Sequence, residues 1–336
     1  MDQDRADRIQ MIRDSASAVV PADGNVARVR ALRFGERDFD VAVWREMAEM
    51  GWPALLVGEE AGGAGLGMGE YAALAETMGG GLIPEPFVSI APIVATLDDD
   101  DRAAVIAGGR FVLPAFDGDV TERAGRLSGR CPGVISARVA DAFVVRSGEA
   151  LWMVDADQLS VESAAAQDGR SIGTLTLAGA PARRLASDDV LVAERLTLGI
   201  AAELLGLGQR AFAITLDHLR TRQQFGRAIG SFQALQHRCA DLLVQIELAR
   251  AATDAAARAF DAGHDADAIR RTVSRAKARS ADMALLVTRQ GIQLHGGIGF
   301  ADESDIGLYL RRAMVLVNQG GSAGWHRKRY GLLMAA

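Results

Sequence analysis

The sequence predicts an α+β protein in which a helical segment, a small β-rich segment and a bundle of long helices follow one another. Three observations favour this fold class. Apolar residues recur at helical spacing near the N-terminus, short β-branched runs broken by Asp, Gly and Ser occupy the middle, and long amphipathic stretches return near residue 190. We therefore predict an N-terminal helical domain over 1–102, a middle β-domain over 103–188 and a C-terminal four-helix bundle over 189–336.

The N-terminal domain is predicted to contain helices near residues 9–19, 39–50 and 68–79. The glycine-rich run 58–67 precedes the third of these helices. It could be a phosphate-binding loop, but two acidic residues stand within its start and no Lys-Ser/Thr pair follows it. We therefore interpret this run as a structural turn whose glycines adopt positive φ.

The middle domain is predicted to contain strands over 137–145, 150–154 and 172–177, where β-branched residues are concentrated. Just before it, Asp98–Asp101 form an acidic cluster. This cluster is either a solvated loop or a helix N-terminus, where the helix dipole favours negative charge.

The C-terminal domain is predicted to contain long helices over 190–222, 231–262, 265–294 and 303–317, and a short closing segment over 322–334. One face of the second helix is apolar and is expected to face the core. That face consists of Phe232, Leu235, Cys239, Leu242 and Ile246.

Composition limits the possible functions. The chain has 336 residues, is 49% apolar, and carries a net charge of −6 with a pI near 5.5, so we expect no nucleic-acid or membrane partner. Cys131 and Cys239 are too few and too far apart to predict a disulfide framework or a metal site. The N-terminus has no apolar signal region, and no apolar run could span a bilayer. We therefore expect a cytoplasmic protein.

Two segments between the C-terminal helices have the chemistry of a nucleotide-binding site. The first is 220–226 (RTRQQFG) and the second is 293–300 (QLHGGIGF). Arg222 offers a planar, permanently charged donor fork for a pyrophosphate, and Gly296 and Gly297 permit close approach of the backbone. Taken singly, each glutamine here could be a helix-surface residue, and Arg222 could cap a helix C-terminus.

Both segments resemble the contacts to the adenine end of FAD in the acyl-CoA dehydrogenase family. The resemblance covers the whole chain, is strongest over 190–330, and implies the fold of that family. It also implies FAD as the cofactor, with a site that reaches across a subunit interface. The residues that would hold the nucleotide are Arg222, Gln224, Phe225, Gln233, Gln293, Gly296 and Gly297.

The family's signatures for the flavin ring are degraded in this chain. The stretch that would carry Thr-Glu-Pro-x-Ala-Gly-Ser-Asp reads Leu113–Val120, and the strand that would carry Trp-Ile-Thr/Ser reads Val144–Ser147. Trp152 lies nearby, but it is displaced from the position that shields the flavin. We predict that Trp152 is a core residue.

The reaction implied by the resemblance is removal of the α-hydrogen of an acyl-CoA thioester as a proton and of the β-hydrogen as a hydride to the flavin. It requires a carboxylate base within hydrogen-bond reach of the α-carbon. The usual position of that base, 27 residues beyond Gln293, is Gly320 here. An alternative position in some members corresponds to Leu196. Both positions lack a carboxylate.

Two other glutamates and two histidines lie close to these positions. Glu203 is seven residues beyond Leu196 in an apolar stretch, so it should either be paired, for example with an arginine, or serve as the base. Glu194 suits a helix N-terminus. His295, beside the glycines, either contacts the nucleotide or packs, and His326 receives no role.

Three hypotheses follow from the resemblance. The first is an FAD-dependent acyl-CoA dehydrogenase subunit in a heterotetramer, acting on a steroid-like or branched acyl-CoA, whose homologous partner subunit supplies the base and whose electrons pass to an electron-transfer flavoprotein. The second is a self-sufficient homo-oligomer that uses Glu203. The third is a non-catalytic relative. An oxidase or monooxygenase on the same fold is a further possibility, since fold does not fix chemistry.

Overall fold

The computed structural model describes residues 3–187 and 190–335. Its helices are α1 (Gln3–Ser15), α2 (Ala27–Leu32), α3 (Val41–Glu49), α4 (Met68–Gly80), α5 (Phe87–Val94), α6 (Asp99–Ile106), α7 (Val192–Thr221), α8 (Gln233–Asp261), α9 (Ala266–His295), α10 (Ile306–Leu316) and α11 (Ala323–Ala335). Its strands are β1 (Val112–Ala115), β2 (Asp119–Arg123), β3 (Arg126–Ile135), β4 (Ala142–Ser147), β5 (Ala150–Asp155), β6 (Ser160–Ala165), β7 (Ser171–Pro181), β8 (Arg183–Arg184), β9 (Gln223–Gln224) and β10 (Arg227–Ala228). This is the predicted α+β fold class.

The chain divides into two compact units. Unit 1 comprises Met1–Val26, Met68–Ile83 and Thr197–Ala336, and unit 2 comprises Ala27–Gly67 and Pro84–Leu196. The three predicted domains stay a prediction, and the boundary proposed at residues 188 and 189 lies outside the described residues. Every predicted site residue from Glu203 onward belongs to unit 1.

The long C-terminal helices confirm the helices predicted from periodicity. Helices α7 to α11 begin and end within three residues of the predicted bounds. On the predicted apolar face of α8, Cys239, Leu242 and Ile246 are buried because they repeat at helical spacing, whereas Leu235 and Phe232, which precedes the helix, are half-buried. No helix in the described ranges is both long enough and apolar enough to cross a membrane.

Unit 2 contains two four-stranded sheets, ordered β1-β4-β5-β8 and β2-β3-β7-β6. Among the described strands of these two sheets, β1 and β4 pair in parallel and the other neighbours are antiparallel. The acidic cluster proves to be a helix N-terminus, since the carboxylate of Asp98 accepts a hydrogen bond from the Asp101 N–H at 3.1 Å. Trp152 on β5 is buried, as predicted for a core residue.

The strand predicted over 137–145 is wrong in its first half. Residues Ala137–Val139 form a short 3-10 turn, and the strand begins only at Ala142. Ser136 starts this turn in the left-handed region, with φ 59°. Ala137 is buried against Gly173 of β7, so an apolar residue of a turn produced the same pattern as a strand residue.

In unit 1, helices α4 and α7 touch through their backbones. A Cβ atom on Gly206 would lie 1.7 Å from the carbonyl oxygen of Glu76, and one on Gly79 would lie 2.1 Å from that of Glu203. Such distances are far inside van der Waals contact. Glycine is therefore required at both positions for this helix pair to pack.

Gly206→Ala is expected to destabilise the protein by about 3 kcal/mol, because overpacking forces α4 and α7 apart and outweighs the roughly 1 kcal/mol that alanine contributes to helix propensity. Urea unfolding followed by circular dichroism measures this. The matched control is Gly331→Ala in α11, where no atom lies within 4 Å of the added methyl. The control should be neutral or slightly stabilising; equal losses in both variants would contradict the packing described for α4 and α7.

Candidate functional site

The first predicted segment forms a tight hairpin at the end of α7. Strands β9 and β10 pair Gln224 with Arg227, and the two residues between them have positive φ, 52° at Phe225 and 78° at Gly226. Two consecutive positive φ values identify a type I′ turn, the connection that best fits the twist of a two-residue hairpin. The turn leaves the Phe225 side chain 89% exposed.

The hairpin is held against the start of α8. The ring of Phe225 lies edge-on to Phe232, with centroids 6.1 Å apart, and the guanidinium of Arg227 lies 4.0 Å from the Phe232 ring centroid. Phe232 precedes Gln233, the first residue of α8. The exposed side chains of Gln224 and Gln233 therefore belong to one surface.

The second segment ends α9. Gly296 stops the helix with φ 69°, and its N–H bonds to the carbonyl of Gln293. A 3-10 turn follows over Gly296–Phe300 and leaves Phe300 81% exposed. No atom lies within 4 Å of a Cβ built on Gly296 or Gly297, so a ligand can reach the backbone there.

A pair of stacked histidines joins the two segments. The rings of His218, in the last turn of α7, and His295, the last residue of α9, are 4.3 Å apart and inclined by 21°. Burial, then His295 and Arg222, lower the pKa of His218. Burial also lowers the pKa of His295, against the opposing effect of its hydrogen bond to the Gly291 carbonyl. Both rings are therefore neutral at pH 7.

The structure thus brings the predicted nucleotide-binding residues to the surface of unit 1. Arg222 is exposed, and its guanidinium forms no ion pair or hydrogen bond within the parts of the chain that the structure describes. A pyrophosphate requires charged and backbone N–H donors. The unpaired guanidinium of Arg222 and the accessible backbone of Gly296 and Gly297 can supply them, so these residues fit FAD. The exposed members are Arg222, Gln224, Phe225, Gln233, Gln293, Gly296 and Gly297.

The stretches that replace the ring-cradling signatures lie on adjacent strands of unit 2. Leu113 and Pro114 of β1 pair in parallel with Phe143 and Val144 of β4. Leu113 and Val144 are both buried. Apolar core residues thus stand in the stretches where we predicted the family's flavin-ring signatures to be degraded.

The position of the usual base is a glycine turn after α10. Gly320 and Gly321 have φ 63° and 102°, and a Cβ on Gly320 would lie 3.1 Å from the Thr197 hydroxyl. The buried ammonium of Lys277 on α9 holds this turn by donating to the carbonyls of Val317 and Gly321 at 2.9 and 3.0 Å. A side chain at position 320 would thus be strained in this conformation.

His326 supports the same turn. Its ring is buried, and its Nε2 lies 2.8 Å from the carbonyl oxygen of Gly320, so Nε2–H is the donor. Burial is the largest cause that lowers the pKa of His326 to about 4, with Lys277 and Arg329 acting in the same direction. His326 is therefore a neutral hydrogen-bond donor to the backbone at pH 7.

Glu203 is buried and ion-paired. Its Oε1 lies 3.3 Å from Nη1 of Arg312, which is itself 2% exposed. Burial, then the charge of Glu203, raise the pKa of the buried Tyr71. This pairing favours the structural alternative for Glu203, although its role as a base stays a prediction. Glu194 is buried in the first turn of α7, where a carboxylate is favoured by the helix dipole.

Sequence reasoning missed His218, Lys277 and Arg312. His218 could have been found from its place one helical turn before Arg222. Lys277 lies four residues after the apolar Val273 and seven before Ala284, so it interrupts a buried stripe. Arg312 follows a second arginine, the half-buried Arg311, and nothing in the sequence pattern shows which of the two is fully buried.

The fold, together with the predicted nucleotide-binding residues, is that of an α+β flavoprotein of the acyl-CoA dehydrogenase type. The family models agree with this class, since residues 6–97 match the acyl-CoA dehydrogenase N-terminal domain and residues 186–331 match the C-terminal domain. The chain belongs to the acyl-CoA dehydrogenase family, which is a family of oxidoreductases. This membership indicates FAD as the cofactor.

Individual relatives cover nearly the whole chain. The acyl-CoA dehydrogenase IpdE2 of Mycobacterium tuberculosis is 31% identical over 323 residues, which span 90% of each protein. Among solved structures, a variant of the Tcur3481-Tcur3483 steroid ACAD superposes with a TM-score of 0.91 at 28% identity, covering 98% of both chains. The ChsE4-ChsE5 complex of Mycobacterium tuberculosis shares the fold, with a TM-score of 0.86 at 24% identity over 100% of this chain and 98% of that one.

Proposed function

We propose that this chain is one subunit of an FAD-dependent acyl-CoA dehydrogenase and that a homologous partner subunit supplies the catalytic carboxylate. The chain contributes the surface that holds the adenine end of FAD. The observation that carries the proposal is the unpaired, exposed guanidinium of Arg222 beside the open backbone of Gly296 and Gly297, in a chain with glycine at the base position.

Each residue of this surface has a defined task. Arg222 binds the pyrophosphate through paired charge-assisted hydrogen bonds, and the backbone at Gly296 and Gly297 approaches it closely. Gln224, Gln233 and Gln293 offer uncharged donors and acceptors to ribose and adenine. Phe225, at the tip of the hairpin, covers apolar surface of the nucleotide or of the partner. When bound, FAD accepts the β-hydrogen of the acyl group as a hydride.

The base is assigned to the partner because this chain offers no free carboxylate at either family position. Gly320 has no side chain, and the backbone of its turn is held by hydrogen bonds from the side chains of Lys277 and His326. Glu203 is held by Arg312 in the interior. A partner that retains the usual glutamate would complete the site, with that carboxylate removing the α-proton.

The partner and the substrate class are inferred from the relatives and from exposed apolar residues. The Tcur3481-Tcur3483 protein is described as a steroid ACAD of two named components, and ChsE4-ChsE5 is a complex. In this chain, exposed apolar side chains on α8 and α9 suit burial against another subunit. They are Leu243, Val244, Leu248 and Leu286, each more than 40% exposed. We infer a heterotetramer that oxidises a steroid-like or branched acyl-CoA and passes its electrons to an electron-transfer flavoprotein.

The test is turnover by the assembled complex. The chain is co-expressed with homologous acyl-CoA dehydrogenase subunits, and each co-purified complex is assayed with steroid and branched acyl-CoA esters and a ferricenium acceptor. We expect turnover only from a complex, with a product two hydrogen atoms lighter by mass spectrometry.

Three results would each replace this proposal with a competing hypothesis. A yellow protein that turns over alone, and loses turnover but not its fold on Glu203→Gln, would establish the self-sufficient enzyme. A chain that binds no FAD with any homologous subunit would be a non-catalytic relative. Rapid reoxidation of the reduced complex by oxygen would instead indicate an oxidase or monooxygenase.

A further inference from the structure

The stacked pair His218–His295 connects two helices at the point where each gives way to a nucleotide-binding segment. His218 lies four residues before Arg222, and His295 directly precedes Gly296. Their ring centroids are 4.3 Å apart and the planes are inclined by 21°. The contact thus links the first segment to the second across 77 positions of sequence.

Each ring is coupled to the backbone of its segment. The carbonyl of His218 accepts a hydrogen bond from the N–H of Arg222 at 2.9 Å, so movement of His218 displaces Arg222. Nδ1 of His295 donates to the carbonyl of Gly291, one helical turn earlier in α9, at 2.8 Å. This hydrogen bond fixes the orientation of the ring. A displaced ring would therefore move the residues that are proposed to meet the pyrophosphate.

The two helices already approach closely one turn earlier. A Cβ on Gly291 of α9 would lie 3.0 Å from the hydroxyl oxygen of Thr215 on α7. The histidine stack extends this contact by one turn, to the ends of both helices. Since burial keeps both rings neutral at pH 7, they can pack face to face without charge repulsion.

We infer that His218 and His295 are positioning residues that hold Arg222 and the Gly296–Gly297 backbone together as one preorganised nucleotide-binding surface. This inference rests on the proposed function, because it concerns the same FAD site. Without the stack, the two segments move independently, and binding must first bring them together. Preorganised sites bind more tightly because they avoid this ordering cost.

The test compares FAD affinity in the purified complex, measured by quenching of flavin fluorescence, for the wild type, His295→Ala and His295→Phe. We expect His295→Ala to bind FAD about tenfold more weakly, whereas His295→Phe, which retains an aromatic ring for stacking, stays within about twofold of the wild type. His264→Ala, which removes an exposed histidine from the turn between α8 and α9, is the matched control and should not change the affinity.

The outcomes distinguish a positioning role of the two histidines from a loss of fold stability and from failure of the proposed function. The unfolding midpoint of the FAD-free complex should be the same in all variants, and His218→Ala should reproduce the loss of affinity. Wild-type affinity in both alanine variants would overturn the inference alone. So would a phenylalanine variant as weak as alanine, since an aromatic ring able to stack on His218 would then fail to retain the affinity. A wild-type complex that takes up no FAD would overturn the proposed function and this inference with it.

Discussion

Glu203→Ala is expected to destabilise the protein by about 3–5 kcal/mol, because it removes one member of a buried ion pair, the carboxylate that faces the buried guanidinium of Arg312. Arg312 is 2% exposed, and its guanidinium lies 3.4 Å from the carbonyl oxygens of Leu82 and Ile83, which is long for a hydrogen bond. Chemical denaturation of the variant and the wild type measures the difference.

Two further variants isolate the ion pair. In the double variant Glu203→Leu/Arg312→Met, both charges are removed, so the loss should be smaller than the sum of the single losses. Asp217→Ala breaks an exposed pair with Arg220 on the same helix and should cost less than about 1 kcal/mol. A Glu203→Ala variant that is as stable as the Asp217→Ala variant but has lost turnover would contradict a structural role and favour Glu203 as the base.

Arg222→Gln is expected to weaken FAD binding by the complex about 100-fold. A charged hydrogen bond contributes roughly 1.5–3 kcal/mol, and the variant loses a bidentate pair to the pyrophosphate while it keeps only a shorter, uncharged amide. Because Arg222 is exposed and makes no ion pair within the described residues, its replacement should leave the unfolding midpoint unchanged. Calorimetric titration of the FAD-free complex with FAD provides the affinity.

Arg220→Gln is the matched control for Arg222→Gln. Arg220 lies two residues away, is 71% exposed and pairs only locally with Asp217 at 3.3 Å. The net charge of the segment changes equally in both variants, so a general electrostatic effect would weaken FAD binding to the same extent in both. We expect a change of less than threefold for Arg220→Gln. Equal losses would contradict a specific contact between Arg222 and the pyrophosphate.

The long helices could be predicted from the sequence because their apolar residues repeat over many turns, which leaves little freedom in register. The strands were harder to predict. The short strands β2 and β6 have mostly exposed residues and carry little apolar alternation, and Ala137 in a buried turn resembles a strand residue. Strand pairing depends on contacts between distant segments, which no local pattern contains.

In the candidate site, too, features of a single segment could be predicted from the sequence, whereas contacts between residues far apart in the sequence could not. Arg222, Gly296 and Gly297 could be singled out because the chemistry of each is local and their segments resemble a known family. The partner of Glu203 could not be identified, since Arg312 lies 109 positions away beside an equivalent arginine. Likewise, the contact of His218 with His295 arises only when α7 and α9 pack together.

The central claim is that this chain forms one part of a flavin site that a different subunit completes. The most direct measurement is the number of FAD molecules bound per chain, determined from flavin absorbance and protein mass, for the chain alone and for the complex with its homologous partner. We predict no stoichiometric FAD on the chain alone and stoichiometric FAD on the complex, which Arg222→Gln strongly reduces. One FAD per chain in a homo-oligomer that lacks the partner subunit, with full dehydrogenase turnover, would contradict this account.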